Sequence, residues 1–437
     1  MPEKHYEFND LNNPPLIEEH SQIKHKVLEF YLERYIKVLT ANPRHEKLKL
    51  WLIDGFSGGG KYTTAIGNKP HDGSPLILLK TVDKMRLEIQ ATRQKYFDIE
   101  AKYFFVEKDK KAFNFLKGIL SNEGYKNLDN IALINDLFIG AFPKIMSQIK
   151  NEKQKNPRCI FLLDQYGYKD VPFESLKVIF SAFPNTAEVL LTFSTEHLIQ
   201  YISHDERFKK AMANAGLSDV INDKLIDIFI NTPSHENKNA RLFVEQLLAR
   251  TIFEKSGAKF FNPFFITSAG SKWSFLLIHL SCHWKARDEM NKTLWELHNN
   301  LHHYGKAGLG NFSGNPEEFI KILGYDMFHN EKQVTLQYEN EFNEKDSIRI
   351  IDALSEEIPE IIFDHQESQI TVGKLLVENC NFTLANTDHF KNVLKKMIDE
   401  KIIRIFSSDF KHERFSMNSI EHSDIISFKQ KNIFNYR

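Results

Sequence analysis

Residues 53–63 read IDGFSGGGKYT, and two kinds of glycine turn fit them. A phosphate-cradling loop has the form G-x-x-x-x-G-K followed by Ser or Thr, whose hydroxyl ligates magnesium. Gly55 to Lys61 satisfy its first seven positions, but the eighth is Tyr62. The second kind closes a buried strand with an acidic residue and then uses glycines so that an adenosyl cofactor can lie against the backbone. Asp54 and the glycines supply both. The next helix separates the two readings. A phosphate loop runs straight into its helix at the Lys-Ser/Thr step, whereas here the helical pattern SPLILLKTVDKMRLEIQATRQ starts only near Ser74-Pro75, with proline in its first turn. The intervening KYTTAIGNKPHDG reads as a loop.

Outward from this turn the chain repeats one rhythm. Short apolar runs end in polar or acidic residues and are followed by helical patterns: LKLWLID ending at Asp54, AKYFFVE at Glu107, IALIND at Asp136, CIFLLD at Asp164, and AEVLLTFS near Ser194. Continuous apolar strands separated by helices describe a parallel sheet covered on both faces, with ligands at the carboxyl ends of the strands. Residues 260–283 (FFNPFFITSAGSKWSFLLIHLSCH) then read as two strands joined at Ala269-Gly270-Ser271. So short a turn makes them antiparallel. The expected fold is therefore α/β: a Rossmann-like class I methyltransferase sheet of five parallel strands with an antiparallel terminal hairpin.

Each acidic strand end has a functional role and a plainer alternative. Asp54, Gly55, Phe56, Gly58 and Gly60 form the cofactor turn, or a structural turn. Glu107 accepts the hydroxyls of a ribose, or charges a helix N-terminus. Asp136 accepts from an adenine amino group, or caps the segment after it. Asp164, in LLDQYGYKDVPF, stands where methyltransferases of exocyclic amines carry D/N-P-P-Y/F; the acid and the aromatic Tyr166 are kept and both prolines are missing. Asp164 and Tyr166 are the candidates for the reacting centre, against a purely structural strand end. Lys61, Tyr62, His71 and Asp72 lie on the loop over the cofactor. His279 and His283 are spaced to share one face of a strand, where hydrogen-bonded core histidines are the commoner reading than metal ligands; no metal site is expected.

The 437 residues, 42% of them hydrophobic, suffice for more than one domain, and a formal net charge of -1 gives no sign of a whole-surface polyanion binder. Cys159, Cys282 and Cys380 are far apart and form no C-x-x-C pair, which suits a reducing, cytoplasmic compartment. No apolar run is long enough to span a bilayer. Residues 1–45 read as a tail and a docking helix, residues 46–304 as the cofactor-binding domain, and residues 305–437, after the Gly- and Asn-rich break at 305–317, as a helical, winged-helix-like domain. Within that last domain Asn386 or Thr387 caps the helix NTDHFKNVLKKMIDE. Lys391, Lys395, Lys396, Lys401 and Arg404 are candidate phosphate contacts to nucleic acid, diluted by Asp388, Asp399 and Glu400.

The set KHKVLEFYLERYIKVL, IDGFSGGGKY, DGSPLILLK, FVEKD, FLLDQYG and a late histidine-bearing strand resembles the three-Cys-motif partner protein family, over roughly residues 20–300. The resemblance implies an S-adenosylmethionine-binding, class I methyltransferase-like domain, encoded beside a partner protein with a three-cysteine, radical-SAM-like motif. It aligns Asp54, Gly55, Phe56, Gly58 and Gly60 with the family's glycine turn, and Asp164 with its D-P-F-G-like step, from which Gln165 and Tyr166 depart. The Pro-Cys nucleophile step of cytosine-C5 enzymes is absent after the fourth strand. Three functions stay open: a methyltransferase acting on nucleic acid, a catalytically idle methyltransferase-like scaffold that binds protein or nucleic acid, and a metal-dependent nuclease or ATPase.

Overall fold

The computed structural model describes residues 6–125, 129–152, 157–165, 170–195, 202–218, 221–231, 237–267, 274–298, 301–305, 307–309, 338–340, 342–365 and 369–428. The chain divides into two compact units, Met1–Thr293 and Leu294–Arg437.

The first unit begins with β1 (Leu16–Ile17) and helix α1 (Glu19–Leu39), whose stripe Ile23, Val27, Leu28, Tyr31, Tyr35 and Ile36 is buried. Strand β2 (Lys47–Asp54) leads into the glycine turn, followed by β3 (Lys61–Thr64), β4 (Pro70–Asp72) and α2 (Ser74–Thr92). Then come β5 (Asp98–Val106), α3 (Lys110–Asn122), β6 (Ile131–Ile134), α4 (Phe138–Asn151), β7 (Arg158–Asp164), α5 (Phe173–Ala182) and β8 (Ala187–Phe193). Helices α6 (Glu206–Ala215), α7 (Asp223–Asn231) and α8 (Asn237–Ser256) precede β9 (Phe260–Thr267), β10 (Ser274–Ser281) and α9 (Trp284–Leu297).

Seven strands run in the order β9-β10-β8-β7-β2-β5-β6. The five from β8 to β6 are mutually parallel, and β10 is antiparallel to both β8 and β9. This is the strand order of a class I methyltransferase-like fold, and β2 is the central strand from which the chain turns to either side. Burial explains the continuous apolar runs: Leu50, Trp51, Leu52 and Ile53 of β2, and Phe104, Phe105 and Val106 of β5, are all buried. Two carboxylates sit slightly beyond the strand ends, Glu107 one residue after β5 and Asp136 two after β6. The turn Ala269-Gly270-Ser271 lies outside the described residues.

Two local expectations need correction. The stretch after Gly60 is a hairpin, not a loop: β3 and β4 pair antiparallel with Tyr62 opposite His71, and β1 adds in parallel to β3. Its strands are short and polar, and one partner comes from the N-terminal segment, so no local alternation announces it. His283 lies beyond the end of β10 and so does not share a strand face with His279. His279 is fully buried, with Nε2 3.0 Å from Glu188 Oε2.

In the second unit, β11 (Leu301–Gly305) pairs antiparallel with β12 (Tyr338–Asn340). Helix α10 (Glu344–Asp364) follows, then β13 (Gln369–Thr371), α11 (Val372–Asn379), α12 (Thr387–Asp399), β14 (Ile403–Phe406), β15 (Glu413–Arg414) and β16 (Ile425–Phe428). The last four strands form an antiparallel sheet in the order β13-β16-β14-β15. Ile350, Leu354, Leu375, Phe390, Leu394 and Ile405 are among its buried side chains. Asn386 caps α12 in a capping box with His389. The break at 305–317 lies largely outside the described residues. No helix among the described residues is long and apolar enough to cross a membrane.

Candidate active site

A cavity of about 670 Å³ opens at the carboxyl ends of β2, β5, β6 and β7, where Gly55, Phe56, Gly58, Glu107, Asp136 and Asp164 meet. That volume suits a ligand of nucleoside size or larger. The glycine turn is held from within. Gly55 N donates to Leu162 O (2.9 Å), Phe56 N to Asp54 Oδ1 (3.1 Å), Ser57 N to Val106 O (2.9 Å) and Gly58 N to Glu107 Oε2 (2.8 Å). In a phosphate loop such amides face the ligand's phosphates; here they already serve carboxylates and carbonyls. Gly58 has φ +58, and a Cβ there would lie 2.6 Å from the Tyr62 hydroxyl, so both backbone and space require glycine.

Glu107 also accepts from Asp109 N through Oε1 (2.7 Å). Burial raises its carboxyl above the ordinary value, against the pull of the Asp109 and Gly58 amides. A carboxylate offers about four lone-pair sites, so two amides leave acceptor capacity facing the cavity. Asp136 accepts from Leu137 N (2.7 Å) and sits over the first turn of α4, where a Cβ on Gly140 would lie 2.7 Å from its Oδ2. It thus charges a helix start and lines the cavity at once.

Asp54 and Gly60 are placed differently. Asp54 is fully buried behind the turn and does not line the cavity; burial pushes its carboxyl up to about 7. Gly60, at φ +79, accepts from Gly73 N (2.8 Å) and so closes the hairpin onto the start of α2. Lys61 is paired with Glu123, and Asp72 with Lys80, leaving Tyr62 as the hairpin residue that reaches the cavity wall.

At the end of β7, Asp164 accepts from Lys24 Nζ through both oxygens, each at 2.7 Å. Burial opposes its charge, but the Lys24 ammonium outweighs that and holds the carboxyl below its ordinary value. Tyr166, expected beside Asp164, lies outside the described residues. Three contributors were not anticipated. Lys24 and His20 come from α1, and Phe275 from β10; His20 stacks on Phe275 with ring centres 4.2 Å apart. His20 is held down to about 3, chiefly by burial and also by Lys24. The sequence signal was a lysine flanked by the buried Ile23 and Val27, but its partner is 140 positions away. The N-terminal segment forms a further wall through Tyr6 and Phe8, with Phe8 packed on Gly59, Tyr62 and Phe115.

In the second unit, Lys395 pairs with Asp399, Lys396 with Asp352 (3.3 Å), and Arg404 with Glu413 through two hydrogen bonds of 2.8 and 2.7 Å. Lys391 and Lys401 have no such ion pair among the described residues. Among those residues no group of three or more His, Cys, Asp or Glu side chains is placed to hold a metal ion.

Strand order and the acid-lined cavity at the parallel strand ends define a protein of the class I methyltransferase-like fold. No family model matches the chain, and no curated protein matches it. Among solved structures it is similar to a putative O-methyltransferase from Klebsiella pneumoniae (10% identity, 61% of this chain and 91% of that one, TM-score 0.25). It is also similar to a putative S-adenosyl-L-methionine-dependent methyltransferase from Methanococcus maripaludis (10% identity, 64% and 96%, TM-score 0.26). A third is PKMT2 from Rickettsia typhi in complex with AdoHcy (9% identity, 85% and 91%, TM-score 0.25). The fold assignment rests on the strand order, not on these distant likenesses.

Proposed function

We propose that the chain is an S-adenosylmethionine-dependent methyltransferase. The observation that carries this reading is the glycine turn whose Gly58 amide is bound by Glu107, at the mouth of a cavity in which seven carboxylates stand against three lysines. Such a wall repels a triphosphate and favours a cationic ligand with ribose hydroxyls to donate. When bound, the cofactor supplies an already activated methyl group, so transfer depends on alignment more than on acid–base help. In this reading Glu107 takes the ribose, Asp136 faces the adenine side, Gly55, Phe56 and Gly58 form the floor, and Asp164 and Gln165 border the methyl end. Asp54 and Gly60 act from behind by fixing the turn.

For the acceptor we infer a nucleic acid. The support is the order of elements in the second unit, a helix, a strand, two helices and three further strands, which a winged helix would share, together with Lys391 and Lys401, which form no ion pair among the described residues. The resemblance to three-Cys-motif partner proteins adds a radical-SAM-like partner protein to this reading. A methyltransferase-like scaffold without activity is the second reading, favoured by the engagement of both Asp164 oxygens with Lys24. Incubation of the full chain with methyl-labelled cofactor and RNA or DNA separates the two. Label transferred to nucleic acid and lost in Glu107→Gln supports the enzyme. Cofactor binding with no transfer to either polymer supports the scaffold.

A further inference from the structure

Helix α1 places a cation at the β7 side of the cavity. Lys24 has only 11% side-chain exposure, and two of its N–H donors are taken by Asp164. An ammonium has three donors and no acceptor, which leaves one N–H without a protein acceptor among the described residues. On its flank lies the Phe275 ring, 5.5 Å away, which attracts the charge but offers no acceptor atom. Glu7, Glu18, Glu107, Asp109, Asp136 and Asp170 give the remaining wall a net negative charge, and the other lining lysines, Lys108 and Lys111, follow β5 on the opposite side. A ligand carboxylate entering this cavity therefore meets a net negative wall, with the buried Lys24 ammonium as the favourable place beside β7.

The strands fix a direction. β5 and β7 flank β2 on opposite sides, so a ligand with its ribose at Glu107 extends across Gly55 and Gly58 toward Asp164. We propose that the Lys24–Asp164 pair clamps the zwitterionic α-amino acid end of the adenosyl cofactor, Lys24 taking the carboxylate and Asp164 the ammonium. The clamp rests on the cofactor reading above and makes Asp164 a cofactor-binding residue. Opposite charges held 2.7 Å apart match the two charges of an amino acid, and charge-assisted hydrogen bonds are the strong ones.

Isothermal titration of the full chain with S-adenosylhomocysteine and with 5′-methylthioadenosine, which lacks the amino acid group, tests the clamp. The wild type prefers S-adenosylhomocysteine by roughly 10- to 100-fold. Lys24→Gln loses that preference while its affinity for methylthioadenosine stays the same, and Lys24→Arg keeps part of it. An unchanged preference in Lys24→Gln, or equal losses for both ligands, overturns the clamp. Should Lys24→Gln fail to fold, the wild type decides alone: decarboxylated S-adenosylmethionine binding as tightly as S-adenosylmethionine contradicts the role of Lys24. If the wild type binds none of these compounds, the cofactor reading fails and the clamp with it, an outcome distinct from tight binding without preference.

Discussion

Asp54 is the residue whose role moved most between sequence and structure. Its position at the end of an apolar strand was legible, and so was its link to the turn. Which side of the turn its carboxylate occupies depends on packing that no local pattern encodes. Fully buried, its carboxyl is raised from 3.8 to about 7. Between those values the folded chain holds a proton that the unfolded chain has released, so stability falls as pH rises from about 4 to about 7 and stays lowered above. Asp54→Asn is neutral throughout and can still accept from Phe56 N. It should raise the melting temperature at about pH 8 by an amount worth on the order of 1–3 kcal/mol, with the difference vanishing near pH 4. A gain that is the same at both pH values contradicts this account. Lys24 shows the opposite limit of the sequence: its place beside core positions of α1 is a local signal, but a partner 140 positions away leaves no local trace.

Among the elements, the five parallel strands and the delayed helix α2 were readable because buried strands have no choice but to be continuously apolar. The β3–β4 hairpin was not, since polar residues give it strand form only through pairing with β1 and cover from Phe8. Gly59 shows how close that cover is: a Cβ there would lie 2.2 Å from the Phe8 ring. Gly59→Ala is expected to cost about 1–3 kcal/mol in chemical denaturation. Adding Phe8→Ala should recover part of it, giving a non-additive double-mutant cycle. Additive losses are evidence that the N-terminal segment does not pack on the turn. The hairpin is also tied to α1 through His25 Nδ1 and His71 Nε2, 3.0 Å apart. Burial, helped by His71 and Lys24, holds His25 at about 3. A histidine kept neutral in the fold binds a proton in the unfolded chain below its model value of 6.5, so this stabilisation is lost as pH falls from about 6.5 toward 3. Hydrogen exchange in α1 and in residues 61–72 should quicken over that range, and less so in His25→Gln.

Across the whole molecule, composition concealed a division of charge. Residues 1–293 carry 41 Lys and Arg against 35 Asp and Glu, whereas residues 294–437 carry 16 against 23. A net charge of -1 for the full chain is thus the sum of a basic and an acidic part. Nucleic-acid contact by the second unit consequently depends on a few local cations, not on its overall field. If Lys391 and Lys401 reach phosphates, replacing both by Gln in the full chain lowers the slope of log affinity against log salt by about 1.5, with little change in sequence preference. An unchanged slope removes the second unit from the interface.

The central claim is that the acid-lined cavity above the glycine turn takes an adenosyl cofactor, not a nucleotide triphosphate. Calorimetric titration of S-adenosylhomocysteine and of ATP into the wild-type chain and Glu107→Gln tests it most directly. The account predicts saturable binding of S-adenosylhomocysteine to the wild type, weakened roughly tenfold or more in Glu107→Gln, where the amide has less capacity to accept ribose hydroxyls. No heat with S-adenosylhomocysteine at millimolar concentration, together with ATP binding that depends on Lys61, would contradict it.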